Sequence, residues 1–199
     1  MRLPAFLLLL SGLIAIPASA APLILGGGTT TVDLVPGVVQ TLTDAGLTVS
    51  PLGTATLAGV TATFPITGGM IDTDTEMAEI FHNGSGLRFA SGTEMLDLLN
   101  FVITASVTPG SESGLLTGEV LGTPGVPLFD IGPGLQLSLR SEAAGALTNV
   151  FGLPDLTGTV IGTAAAAPEP VPEPSTFALL AVGGLAVAGF RRMKSAARA

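Results

Sequence analysis

Thr56-Leu57-Ala58-Gly59-Val60-Thr61-Ala62-Thr63-Phe64 decides the fold class. Apolar and polar residues roughly alternate along it, the period of two expected of a strand with one wet face. Outward from it, residues 29–34, 47–52, 55–66, 86–90, 115–121, 135–139 and 156–161 form short runs rich in Leu and β-branched residues, divided by Gly, Pro, Ser or Asp. This spacing predicts a mainly β chain, an antiparallel sandwich or a partly open barrel.

Two stretches break the pattern and predict short helices. Residues 36–45 place Pro36 in a first turn, carry apolar Val38, Val39 and Leu42, and stop at Gly46. Residues 141–151 start with Ser141 as a possible cap and stop at Gly152. Both lie between strand-like runs, but no residue-level repeat supports a duplication.

Charge is unevenly divided. All fifteen acidic residues of the 199-residue chain lie between Asp33 and Glu173, where Arg88 and Arg140 are the only basic residues, a net of −13. Such a surface repels polyanions, so no nucleic-acid partner is expected, and adhesion to anionic lipid is disfavoured. The chain has no Cys, Tyr or Trp. Disulfides, thiol catalysis and thiolate metal sites are therefore excluded, and the middle must hold together by burial. Phe64, Phe89, Phe101 and Phe129 lie in apolar surroundings and are expected to supply core bulk.

Candidate chemistry is sparse. His82 is the only histidine and lies in the sequence Phe81-His82-Asn83-Gly84-Ser85-Gly86, which reads as a solvated turn. No G-x-S-x-G elbow or second histidine accompanies it. Asp72, Asp74 and Glu76 could converge on Ca²⁺ if the segment bends around the ion, but Met77 and Asn83 stand where an EF-hand loop needs Gly and Glu. An acidic turn is the alternative. Gly26-Gly27-Gly28 lacks the basic partner a phosphate cradle needs and reads as a linker, while Arg88 and Arg140 are expected to pair with carboxylates. No catalytic residues, metal or cofactor are expected, and the chain reads as a non-enzyme.

The ends read as addresses. Met1-Arg2, an apolar run over residues 5–16 and the triplet Ala18-Ser19-Ala20 form a secretory signal, with cleavage by signal peptidase before Ala21. Residues 164–174, AAAAPEPVPEP, read as an Ala/Pro spacer outside the core. The apolar stretch 177–190 follows, then Arg191 and Arg192. Roughly sixteen helical residues reach about 24 Å, enough to span with local thinning of the bilayer. The basic cluster places the tail in the cytoplasm and the domain outside.

The order Val171-Pro172-Glu173-Pro174-Ser175-Thr176, apolar helix and Arg-rich end resembles the PEP-CTERM sorting signal of exported Gram-negative proteins. That resemblance implies recognition of Pro172, Glu173 and Pro174 by exosortase, a membrane-embedded cysteine transpeptidase-like enzyme usually found with exopolysaccharide synthesis. Exopolysaccharide thus becomes a candidate partner. The expected organisation is a signal peptide (1–20), a β-rich extracytoplasmic domain (21–163), the Ala/Pro linker with its motif (164–174), and a transmembrane sorting helix with a basic tail (175–199). The expected role is a cell-surface or extracellular-matrix protein that passes through a single-pass membrane intermediate. A small-ligand or Ca²⁺ binding protein is the alternative.

Residues 63–69, TFPITGG, followed by residues 81–89, FHNGSGLRF, resemble bacterial surface haem-transport domains, with their glycine-punctuated strand and His-Gly turn. Haem ligation in that family leans on a tyrosine, which this chain lacks. What the resemblance implies is the β-rich fold type.

Overall fold

The computed structural model describes residues 21–171. The signal run with Ala18 and Ala20, the residues Pro172, Glu173 and Pro174, and the sorting helix with Arg191 and Arg192 lie outside the described residues; Ala21 is the first of them and is exposed.

The described residues are mainly antiparallel β with two α-helices. The chain runs through β1 (Leu23–Leu34), α1 (Pro36–Asp44), β2 (Thr48–Gly53), β3 (Thr56–Ala58), β4 (Thr61–Pro65) and β5 (Gly68–Asp72). There follow β6 (Met77–Ser91), β7 (Glu94–Ser106), β8 (Ser113–Val120), β9 (Thr123–Gly132) and β10 (Gln136–Leu139), then α2 (Ser141–Phe151) and β11 (Val160–Pro170). Pairing proceeds from β11 through β10, β9, β8, β7, β6 and β5 to β1, and β1 pairs with β11 again. The ladder therefore closes on itself, which removes exposed edges along most of the wall. One flank is split. Beyond β5, β4 and β3 continue from β1, while β2 pairs with the far half of β6. Of the two expected arrangements the result is the barrel, but closed between β1 and β11 rather than partly open, with one split flank.

The stretch 56–64 is two strands rather than one. β3 and β4 form a hairpin that pairs Thr56 with Thr63, and Gly59 takes φ 62° at the start of the Gly59-Val60 loop. Glycine is favoured there because a two-residue loop needs positive φ to match strand twist. The wet face holds for β4, where Ala62 and Phe64 are buried and Thr61 and Thr63 are not.

Both helices form where expected. Gly152 ends α2 in the left-handed conformation, with its N–H donated to the Thr148 carbonyl. Ser141 does not cap α2: Arg140 holds that position, and the Ser141 hydroxyl bonds Glu142 instead.

The expected spacer is corrected in part. Residues 164–170 belong to β11, and the register runs from Leu34 opposite Gly162 to Leu25 opposite Pro170. Proline is tolerated because β10 pairs only with the start of β11, so Pro168 and Pro170 owe no N–H to that side. The glycine run is likewise no linker. Gly28 sits in β1 with φ 103°, where a Cβ would come within 2.2 Å of the Ala167 carbonyl oxygen. Close approach of β1 to β11 thus requires glycine at that position.

Two paired bulges keep the long central strands facing inward. In β6 the buried positions shift from Ala78, Ile80 and His82 to Ser85 and Leu87; in β7 they shift from Leu96 and Leu98 to Phe101, Ile103 and Ala105. An inserted residue resets the period of two while bending the strand. Asn100, at φ 53°, locks the bulges together: its side-chain oxygen accepts from the Gly84 N–H at 2.8 Å, and its amide donates to Glu119 at 2.9 Å. Phe64 and Phe101 are buried as expected, whereas Phe89 and Phe129 are half-buried against the same core.

Candidate functional site

The β6 bulge decides where His82 goes. Residues 83–86 bulge within a strand instead of turning the chain, so His82 keeps its inward position and is 1% exposed. The expected solvated turn is thereby corrected. The reversal comes later, between β6 and β7, and the Ser85 hydroxyl tightens the bulge by donating to the His82 carbonyl at 3.0 Å.

Inside the barrel the His82 ring meets Thr30 of β1, with Nε2 2.8 Å from Oγ1. Thr30 is itself 2% exposed, so the pair crosses the interior rather than joining neighbouring strands. Phe64 stands edge-on to the ring at 6.3 Å, and Phe101 packs edge-on to Phe64 at 5.2 Å. Nδ1 has no hydrogen-bond partner among the described residues. Burial holds the imidazole below its ordinary pKa, opposed by the Phe101 backbone, which lies near the ring without hydrogen-bond geometry to Nδ1. The neutral ring is therefore favoured.

Thr30 and His82 line a cavity of about 140 Å³. Its other walls are almost wholly apolar, among them Val32, Phe64, Leu98 and Leu137, with Val38 and Leu42 from α1 and Leu147 from α2. Neither helix is part of the ladder; both contribute to the cavity's walls.

The remaining candidates are spoken for. Asp72 accepts from the N–H groups of Asp74 and Thr75 at 2.9 and 3.2 Å. Those bonds, the Asp74 N–H foremost, hold its carboxyl below the usual range. Glu76 accepts from the Thr108 hydroxyl. The segment is an acidic turn, and among the described residues no group of His, Asp or Glu side chains is assembled to hold a metal ion. Arg88 grips Asp97 through two bonds of 2.7 Å, and Arg140 donates to Asp130 at 2.6 Å with Glu142 3.6 Å away. Both arginines are thus paired with carboxylates. Sequence reasoning singled out His82 but missed Thr30, whose inward position depends on the register of β1.

Haem, the ligand of the domains that residues 63–69 and 81–89 resemble, does not fit these residues. No tyrosine is present, Nε2 of the lone histidine is committed to Thr30, and the cavity falls well short of the roughly 300–1,000 Å³ of ordinary ligand pockets.

Comparison with solved structures finds similarity to the C-terminal domain of HtaA from Corynebacterium glutamicum. The identity is 9%, the TM-score 0.57, and the match covers 75% of this chain and 99% of that domain. At this identity the likeness speaks for the fold alone. No curated protein matches the chain by sequence. Among the described residues no helix is long and apolar enough to cross a membrane. The family model described as the PEP-CTERM protein-sorting motif matches residues 170–192. The chain thus carries a PEP-CTERM sorting motif, the signal of an exported protein sorted by exosortase.

Proposed function

We propose that the chain is a non-enzymatic cell-surface or extracellular-matrix protein, whose β domain is exported after signal peptidase cuts before Ala21. The domain is held by the segment 175–199 as a single-pass intermediate, and exosortase then processes the tail. Exopolysaccharide is the candidate partner at the surface.

The observation that carries this reading is the continuity between fold and motif. The matched motif begins at Pro170, the last residue of β11, and the Val171 N–H still donates to the Ile24 carbonyl at 2.9 Å. The folded domain thus hands over directly to Pro172-Glu173-Pro174, with no slack chain between. Pro172-Glu173-Pro174 places a single charge between two prolines for a membrane enzyme to read. A non-enzymatic domain is supported by the site: His82 faces a hydroxyl inside an apolar cavity, and both arginines are engaged by carboxylates.

The test is replacement of Pro172-Glu173-Pro174 by three alanines in a host that carries exosortase. Membrane, surface and medium fractions are compared by immunoblot. A full-length membrane-bound form should accumulate while export and folding persist, whereas charge reversal at Arg191 and Arg192 should disturb insertion. Unchanged tail processing in the alanine variant would refute the sorting role.

A further inference from the structure

The barrel interior holds a polar pair that folding alone disfavours. Leucine at position 82 and valine at position 30 would fill the core with no polar atom, yet His82 and Thr30 are there, 1% and 2% exposed, joined through Nε2, with Nδ1 beside the Phe101 backbone but outside good hydrogen-bond geometry. Beside this pair lies the cavity of about 140 Å³. An enclosed apolar space of about 150 Å³ stays dry and takes a guest the size of benzene. The two observations are independent, one of volume and one of hydrogen bonding.

We propose that this cavity is a binding site for a small, mostly apolar molecule of about benzene size, carrying one hydroxyl that bonds the Thr30–His82 pair. A hydroxyl both donates and accepts, so it suits either tautomer of the imidazole. The apolar remainder of the guest is matched by Val32, Phe64, Leu98 and Leu147. The candidate entry is under α1, which buries Leu42 alone, whereas α2 buries Ala143, Ala144 and Leu147. The proposal goes beyond sorting, and its test reads binding rather than export.

The probes are phenol, benzene and 2-naphthol, added to the full chain in lipid nanodiscs, with the thermal midpoint and the probe affinity as readouts. Phenol should raise the midpoint and bind about 3- to 10-fold more tightly than benzene, the margin expected of one hydrogen bond. The larger 2-naphthol should give no specific shift. Ala62→Leu, which fills the space from a fully buried wall position, should abolish the phenol effect, and the double variant Thr30→Val/His82→Leu, which removes both polar partners, should erase the preference for phenol over benzene. Should either variant fail to fold, intermolecular NOEs from phenol to the methyl groups of Leu42 and Leu147 locate the probe in the unaltered chain. Equal shifts in the unaltered chain and Ala62→Leu, no shift with any probe, or absence of those NOEs would overturn the site. A Thr30→Val/His82→Leu variant that keeps the phenol preference would overturn the role of the pair.

Discussion

β7 sends Leu96, Leu98, Phe101, Ile103 and Ala105 into the core, while β11, built from VIGTAAAAPEP, buries only Gly162. Both are long strands of one wall. β7 is held by apolar area removed from water, whereas β11 is held by its backbone ladder along β1, with little side-chain burial of its own. The contrast shows that closing a barrel and filling it are separate tasks, and that a strand can be recruited for its backbone groups alone. Unpaired edges of β1 would leave donors and acceptors without partners in a partly buried place, and β11 satisfies them.

The contrast is broken or sharpened first by truncation. A chain ending at Val171 should fold, whereas one ending at Thr163, which keeps every large core side chain, should lose cooperative unfolding or at least about 3 kcal/mol in a urea titration. Equal stability of the two would mean that β11 contributes nothing to closure.

Phe101→Ala comes next, with an expected loss of about 3–5 kcal/mol, because a buried ring packed on Phe64 leaves a cavity when removed. The same denaturant titration should place it far above any single exposed side chain of β11.

An intermediate effect comes from pH. The unfolded imidazole titrates near its ordinary ~6.5, while burial holds the folded one lower. The unfolded chain therefore binds a proton first, so stability falls as pH drops below about 6.5, by at most ~1.4 kcal/mol per pH unit, until the folded pKa is reached. His82→Leu should flatten this window in pH-dependent melts. Asp97, whose pKa is lowered by its hydrogen bonds to Arg88, loses its contribution only below about pH 4, so the two windows separate. At the small end, Ala165→Ser on the exposed face of β11 should change stability by less than about 0.5 kcal/mol.

The same contrast explains what the sequence made legible. The helices at residues 36–44 and 141–151 carry local signals, Pro at one start and Gly at both ends, and local signals can be read from one chain. β7 is a near-continuous apolar run whose period is reset by the bulge after Leu99, so alternation fails over its full length. In β11 the strand signal resides in its partner, since alanine and proline form a strand there only because β1 offers an unpaired edge. His82 was misread for a related reason. Asn83-Gly84-Ser85-Gly86 has the composition of a turn, but φ 73° at Gly84 and the Asn100 contact make it a bulge, and a bulge keeps the preceding side chain inside. The motif at the C-terminal end is legible because it is read as an address, residue by residue, and does not depend on a register.

The central claim is that a closed barrel, including β11, is delivered outside and then released from or trimmed of its tail. Intact-mass measurement of the surface or medium form from a host with exosortase tests it most directly. The account predicts a chain that begins at Ala21 and ends beyond Pro170, within the tail, so that all of β11 is retained. A product running from Met1 to Ala199, or one cut upstream of Pro170, would contradict it.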